Sequence, residues 1–197
     1  MPRLATHGGA GQSGLRIAVT MDASIVTEEP ASMKLAEFNS ADASSATHTL
    51  KPCIDVTRWV DAITAARPFQ SREALLAFAS GAANPFTPAE VEAAMAHHPR
   101  IGERPTAGTA EASMSRSEQA GVDPADAAAA EALARGNREY EEKFGRVFLI
   151  RAAGRTAPEI LQSLNSRLTN TPAEEDTIVA QQLREIAVLR LEGLITE

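Results

Sequence analysis

The composition of the chain is that of an ordinary globular protein: 197 residues, of which 44% are hydrophobic and 23% charged, enough to bury one core. A formal net charge of -7 provides no basic field for phosphates or anionic lipids, which argues against nucleic acids and membrane surfaces as partners. Cys53 is the only cysteine and no apolar run approaches the roughly 18 residues of a membrane span, so we expect no intrachain disulfide, no cysteine-ligated metal and a cytoplasmic location.

The first 32 residues show neither helical nor strand periodicity, because glycine, serine and charged residues are scattered through them. We therefore expect residues 1–32 to be a disordered N-terminal extension and residues 33–197 to form one folded domain. Helical patterning begins in the string MKLAEFN, which starts at Met33. This leads to the hypothesis that Met33 is the natural start of the protein.

Two helices are predicted in the first half of this domain. The first follows Asp55 as a possible N-cap, because apolar residues recur there at i, i+3, i+4 and i+7: Val56, Trp59, Val60 and Ile63. The second is expected to start at Ser71 and to carry Leu75 and Phe78.

Three further helix starts are marked by capping boxes, in which a threonine is followed three residues later by a glutamate that can bond back to its amide. These pairs are Thr87 with Glu90, Thr156 with Glu159, and Thr171 with Glu174. Pro88 and Pro172 occupy the first helical position, where a missing N–H costs nothing.

The rest of the pattern is also helical. The alanine-rich segment 123–144 predicts a long helix that ends at Gly145, despite the interruption at Gly136 and Asn137. The apolar run 147–153 resembles a strand, but it has no evident pairing partner, and a buried extended connection is the favoured interpretation. The predicted fold class is therefore all-α, an irregular multihelical bundle in a single domain.

Two polar residues fall where the helical pattern requires apolar ones. His98 lies at i+7 from Val91, where it is either a hydrogen-bonded core histidine or a functional group. Arg190 continues the stripe of Val179, Leu183 and Ile186. Because a guanidinium group cannot lose its charge, it must meet an anion or line a polar cavity, unless its head group reaches water along a packed stem.

A third polar group occurs in the string SRSEQAG at 115–121. By spacing, Ser115 and Glu118 form a fourth capping box, and the helix N-terminus that this implies could also bind an anionic substrate. Gln119 is adjacent. No histidine or cysteine spacing suits a metal, and the nucleotide and serine-hydrolase motifs are missing, so side chains alone are expected to do any chemistry.

Four strings together resemble the 2-oxo-4-hydroxy-4-carboxy-5-ureidoimidazoline (OHCU) decarboxylases, in the order found in that family. They are HHPRIGE at 97–103, SRSEQAG at 115–121, GNREYEEKFGRVFLIRAAGRTAPEIL at 136–161 and REIAVLRLEGLI at 184–195. The resemblance covers approximately Met33 to the C-terminus. It implies an all-α homodimer that needs neither metal nor organic cofactor and converts its ureidoimidazoline substrate to (S)-allantoin in urate and purine breakdown.

The resemblance also implies which residues form the site. His98 and Glu118 match the catalytic pair, with His98 expected to act as general base and Glu118 to orient or relay the proton. The positions expected to contact substrate are Pro99, Ser115, Gln119, Phe148, Leu149, Ile150, Arg151, Ala152 and Arg190. The last of these is expected to contact ring or ureido oxygens of the substrate.

The chain departs from the family pattern at two positions: Met114 replaces a tryptophan, and Arg151 replaces a common cysteine. Both changes concern the packing or polarity of the site and neither removes a catalytic group. Two other functions stay open from the sequence: a helical binding module without catalysis, and a hydrolase of a related ureido compound.

Overall fold

The computed structural model describes residues 32–96, 98–103, 110–121 and 127–197. Within these ranges the chain forms nine helices and a pair of two-residue strands. The helices are α1 (Leu35–Ser40), α2 (Ala43–Leu50), α3 (Thr57–Ala65), α4 (Arg72–Gly81), α5 (Pro88–Met95), α6 (Ala110–Glu118), α7 (Ala127–Phe144), α8 (Ala157–Arg167) and α9 (Pro172–Leu194). The strands are β1 (Met33–Lys34) and β2 (Ile195–Thr196), which pair in parallel. The all-α prediction is confirmed.

The three capping boxes were predicted correctly, because their chemistry is local. In each, the glutamate carboxylate accepts a hydrogen bond from the threonine amide, at 2.7 Å for Thr87, 2.7 Å for Thr156 and 2.8 Å for Thr171. They open α5, α8 and α9. Ser71 also caps α4 as expected, accepting from the Ala74 amide at 3.2 Å.

Other boundaries differ from the sequence prediction. The N-cap of α3 is Val56, so the assignment of that role to Asp55 is wrong. Met33 begins a strand and helical structure starts only at Leu35, because the main chain of Met33 and Lys34 pairs with the last residues of the chain. The sequence did not reveal α2, which Asp42 caps by accepting from the Ser45 amide at 2.8 Å.

The long alanine-rich helix α7 ends where predicted, because Gly145 adopts a positive φ of 68° that terminates helices readily. Residues 123–126, where the prediction began this helix, lie outside the described residues, as do residues 1–31 of the expected extension. Packing explains the glycine at position 136, because a Cβ atom there would lie 2.7 Å from Leu164 Cδ2. The residue that interrupts the helical pattern therefore lets α7 approach α8 closely.

The core has two parts. The larger cluster joins α1 to α5 with α9, and Trp59 at its centre donates its indole N–H to the Ala79 carbonyl at 2.9 Å. The smaller cluster lies between α7 and α8 and includes Phe148, Ile150 and Ala152 of the segment that follows α7. That segment, 147–153, contains neither helix nor strand, so the prediction of a buried connection is confirmed. None of the described helices is long and apolar enough to cross a membrane.

Candidate active site

A small cavity of about 20 Å³ lies between the two core clusters. It is lined by three parts of the chain that are distant in sequence, together with Ile186 of α9: the segment after α5, the end of α6 and the 147–153 connection. The lining residues are His98, Pro99, Ile101, Ser115, Glu118, Gln119, Phe148, Leu149, Ile150, Ala152 and Ile186. All the residues expected to form the site line this cavity except Arg151 and Arg190.

His98 lies three residues beyond the end of α5, and a hydrogen bond to that helix fixes the orientation of its ring. Its Nδ1 is 2.9 Å from the carbonyl oxygen of Ala94. Because a carbonyl oxygen can only accept, Nδ1 carries the proton, and the neutral ring then has its lone pair on Nε2. Nε2 is buried. His98 thus has the tautomer that a general base acting through Nε2 requires.

Ser115 and Glu118 do not form a capping box. Helix α6 begins at Ala110, with Ser115 in its middle and Glu118 as its last residue. The prediction of a helix N-terminus at Ser115, and of an anion site there, is therefore wrong. The spacing does not distinguish a helix N-terminus from a helix interior, because residues three apart lie on the same face anywhere in a helix. Instead, both side chains face Arg190.

The guanidinium of Arg190 is buried, with only 4% of its side chain exposed, and the Glu118 side chain is 15% exposed. Nε donates to Glu118 Oε1 at 2.6 Å and Nη2 to Glu118 Oε2 at 3.1 Å, a bidentate pair. Nη2 also donates to Ser115 Oγ at 3.0 Å, and Nη1 donates to the Cys53 carbonyl at 3.5 Å. The prediction that Arg190 meets an anion is confirmed, and the alternative of a head group in water is wrong. Its expected contact with the substrate stays a prediction.

Gln119 and Asn137 hold the segment that follows His98. The Gln119 side-chain oxygen accepts from the Gly102 amide at 2.9 Å, and Asn137 donates to the Ile101 carbonyl at 3.0 Å. Gly102 has a φ of 86°, which favours glycine. The polar end of α6 therefore positions the other wall of the cavity.

The 147–153 connection is held by side chains on both of its sides. Arg167 donates to the Leu149 carbonyl at 2.7 Å, and the Arg151 amide donates to the side-chain oxygen of Gln182 at 2.9 Å. The Arg151 amide is therefore engaged by the protein itself. Its predicted contact with substrate stays a prediction, as does that of the Arg151 side chain.

Arg167 belongs to a buried polar cluster that the sequence analysis missed. Glu175 is fully buried, and Arg167 donates to its Oε1 from Nε at 2.8 Å and from Nη2 at 2.5 Å. Tyr140 donates a short hydrogen bond to the same oxygen, and Asn170 donates to Oε2 at 2.8 Å. Burial raises the pKa of Glu175, but the hydrogen bonds from Arg167, Tyr140 and Asn170 outweigh it and hold that pKa below its usual value.

A signal for this cluster existed in the sequence. Glu175 lies four residues before Val179 and eight before Leu183, on the same helical stripe that identified Arg190 as buried. The periodicity that marked one polar residue in the core thus marked a second one.

Cys53 contributes no reactive thiolate to the site. Burial is the largest effect on its thiol, and it raises the pKa to about 12 even though the nearby Arg190 charge acts in the opposite direction. The described residues also contain no group of three or more His, Cys, Asp or Glu side chains that could hold a metal ion.

His98 also borders a second, larger groove of about 1040 Å³. This groove runs between α5, the N-terminal half of α9 and the end of α7, and its charged lining includes Arg146, Asp176 and Arg184. The imidazole therefore stands between an open groove and the small cavity.

The chain is similar to known proteins in sequence and in fold. The family model for OHCU decarboxylase matches residues 39–192. The chain is 33% identical over 136 residues to 2-oxo-4-hydroxy-4-carboxy-5-ureidoimidazoline decarboxylase of Amia calva, covering 68% of this chain and 78% of that protein. It is 31% identical over 150 residues to the uric acid degradation bifunctional protein TTL of Arabidopsis thaliana, covering 75% of this chain but only 46% of that protein.

The fold is similar to that of a crystal structure of OHCU decarboxylase in the presence of (S)-allantoin. The TM-score is 0.59 at 27% sequence identity, and the match covers 78% of this chain and 98% of that one.

Proposed function

The chain belongs to the OHCU decarboxylase family, and we propose that it decarboxylates 2-oxo-4-hydroxy-4-carboxy-5-ureidoimidazoline to (S)-allantoin in the breakdown of urate. The observation that carries this proposal is that His98, which follows α5, lines the same cavity as Ser115, Glu118 and Gln119 at the end of α6. Relatives that act in uric acid degradation, and a structural neighbour with (S)-allantoin, support it.

The reaction uses an electron sink within the substrate. The carbon that loses its carboxylate also carries a hydroxyl group, and its neighbour carries the ureido group and is doubly bonded to a ring nitrogen. When the bond to the carboxylate breaks, its electron pair forms a carbon–carbon double bond, and the electrons of the C=N bond move to that nitrogen, which takes up a proton. The resulting enol becomes a ketone when its hydroxyl proton leaves and a proton is added to one face of the ureido carbon.

We assign His98 as the base that accepts the hydroxyl proton. With Nδ1 bound to the Ala94 carbonyl, the neutral ring can accept only at Nε2. A proton transfer of this kind does not require a metal or an organic cofactor, in keeping with the proposal that the enzyme uses neither.

Glu118 is assigned to orient the substrate hydroxyl or relay its proton. The bidentate bond from Arg190 fixes the plane of the carboxylate, so its remaining lone pairs have a defined direction. Ser115 accepts from the same guanidinium, which allows its own proton to be donated elsewhere, including to a bound ligand. Pro99, Gln119 and the connection from Phe148 to Ala152 would act by holding the ring and ureido group in place.

The cavity has to widen for this chemistry. A volume of about 20 Å³ holds about one water molecule, whereas small-molecule sites usually enclose about 300–1,000 Å³. The groove on the other side of His98 is the route that we assign to the substrate, because it reaches the imidazole directly.

Incubation with freshly generated substrate tests the proposal, with circular dichroism at the bands of (S)-allantoin as the readout. Formation of (S)-allantoin faster than the spontaneous reaction, with EDTA having no effect, is the expected result. A hydrolase would consume the substrate and give a ring-opened ureido product, and a binding module would give no acceleration; either result would refute the proposal.

We further propose, from the family resemblance, that the protein is a homodimer located in the cytoplasm. Light scattering coupled to size exclusion should then give twice the monomer mass of 20.9 kDa.

A further inference from the structure

The buried cluster of Tyr140, Arg167, Asn170 and Glu175, named here the Glu175 cluster, contacts the lining of the cavity at the 147–153 connection. It joins the end of α8 to the first turn of α9 and the C-terminal part of α7. Its ion pair is enclosed, with Arg167 side-chain exposure of 9% and Glu175 exposure of 0%.

Stability alone is a weak reason for such an arrangement. Taking both charges out of water is costly, and replacing a buried ion pair by apolar residues of the same volume is often neutral or stabilising. What an apolar replacement would lack is the ability of Arg167 to donate in several fixed directions at once. Three of these directions are taken up by Glu175 Oε1, the Tyr140 hydroxyl and the Leu149 carbonyl.

The bond to Leu149 links the Glu175 cluster to the cavity. Nη1 of Arg167 is 2.7 Å from the Leu149 carbonyl oxygen, and the guanidinium lies 4.7 Å from the centre of the Phe148 ring. Tyr140 packs edge-on against the same ring at 5.1 Å. Phe148 and Leu149 both line the cavity.

The connection itself has no regular hydrogen-bond ladder to fix its position, because it forms neither helix nor strand. The Arg155 amide donates to the Ala152 carbonyl at 2.9 Å, and the residues before Ala152 are held by side chains. Arg167 holds Leu149 from one side and Gln182 holds Arg151 from the other, and Gln182 is itself fixed by a bond to Glu185 at 3.0 Å.

We propose that Arg167, locked by Glu175 and Tyr140, is a positioning residue that sets the cavity wall formed by Phe148 and Leu149, and so the placement of the substrate beside His98. This inference rests on the proposed function. A displacement of about 1 Å in such a wall can cost on the order of a hundredfold in rate. Arg167 acts through the connection, so its loss should lower kcat more than it alters the global fold.

The test compares Arg167→Lys with two controls. Lysine keeps the charge next to Glu175, but its single ammonium group cannot span both Glu175 and the Leu149 carbonyl. Arg58→Lys is the chemical control, because Arg58 also pairs with a glutamate and donates to two carbonyls, those of Ala83 and Pro85, but does not line the cavity or the groove. Leu50→Ala is the stability control, because Leu50 is fully buried in the other core cluster.

Two readouts are required: steady-state kinetics at a temperature at which every variant is folded, and amide hydrogen exchange of residues 148–152. Arg167→Lys should lower kcat by about tenfold or more and speed exchange in the connection while leaving α3 protected. Arg58→Lys and Leu50→Ala should keep the wild-type kcat and the wild-type exchange of the connection, even where Leu50→Ala melts at a lower temperature.

Arg167→Lys with wild-type kcat and unchanged exchange would overturn the inference. Should that variant not fold, Tyr140→Phe decides, because it removes only the hydroxyl group, with its bonds to Glu175 and Arg167, and keeps the ring against Phe148. It should give a smaller change in the same direction, and no change in either readout would likewise overturn the inference. If the wild-type protein proves inactive, the proposed function fails, and the exchange comparison still decides whether the Glu175 cluster positions the connection.

Discussion

The pair formed by Arg190 and Glu118 predicts that a single substitution destabilises the protein and that a double substitution restores most of its stability. Arg190→Met keeps most of the volume of the stem but leaves the Glu118 carboxylate, whose side chain is 15% exposed, and the buried Ser115 hydroxyl without their donor. Removing one member of a buried ion pair costs about 3–5 kcal/mol. Because Glu118 keeps some contact with solvent, we expect the lower end, about 3 kcal/mol, and a fall in Tm of roughly 6–12 °C.

The double variant Glu118→Leu/Arg190→Met should recover most of this loss. No uncompensated charge is left in it, and apolar replacements of buried pairs are often neutral. We expect its free energy of unfolding to return to within about 1 kcal/mol of wild type, while turnover stays absent. The difference between the double variant and the sum of the single variants measures the coupling of the two side chains.

Urea denaturation followed at 222 nm gives the unfolding free energies, and the (S)-allantoin signal gives turnover. Two results would refute the reasoning: an Arg190→Met variant destabilised by less than about 1 kcal/mol, or a double variant no more stable than the Arg190→Met single variant. Either would mean that the two side chains do not depend on each other in solution.

Three further predictions concern the remaining charged and titratable groups. His98→Ala should abolish turnover and leave the far-ultraviolet circular dichroism spectrum unchanged. Wild-type turnover should fall on acidification, because protonation removes the acceptor on Nε2. An active His98→Ala variant, or turnover that does not change with acidification, would contradict the assignment of His98 as the base. Glu118→Gln should lose most turnover, and its Tm should fall because the buried Arg190 loses its anion. Glu118→Asp should retain more of the turnover and more of the stability. Wild-type turnover in Glu118→Gln would show that the carboxylate is not needed. The hydrogen bond from Arg58 lowers the Glu90 pKa from 4.5 to about 2, so Glu90 stabilises the fold above pH 4.5 and this contribution is lost as the pH falls to about 2. The stability difference between wild type and Glu90→Gln should therefore shrink over that range in acid denaturation curves.

Local chemistry decided which parts of the fold could be predicted from the sequence. The threonine–glutamate boxes that open α5, α8 and α9 were recognised because both partners lie within one turn. The same spacing at Ser115 and Glu118 was misinterpreted, since it also occurs inside helices. The pairing of β1 with β2 joins residues 162 positions apart, Met33 and Ile195, and no local pattern reveals such a pairing.

In the site, too, local patterns predict some features, and others depend on contacts between residues that are distant in sequence. Periodicity correctly marked Arg190 as buried, but its partner Glu118 lies 72 residues away in sequence, and only the packing of α6 against α9 brings them together. Without the resemblance, the residues of the 147–153 connection would have been assigned only to the core, because they are apolar and contribute mainly walls and backbone. Arg167 and Glu175 escaped notice because each stands near a helix end, where charged residues are usually exposed.

The position of Glu118 explains why this site needs Arg190. As the last residue of α6, the carboxylate lies at the end of the helix where the peptide dipoles present partial negative charge, and it is also largely removed from water. The guanidinium of Arg190 supplies this carboxylate with two direct hydrogen bonds and uses a third contact to hold Ser115. A carboxylate held in one orientation by two hydrogen bonds is suited to orienting a substrate hydroxyl, and the arginine that holds it need not touch the substrate to be essential.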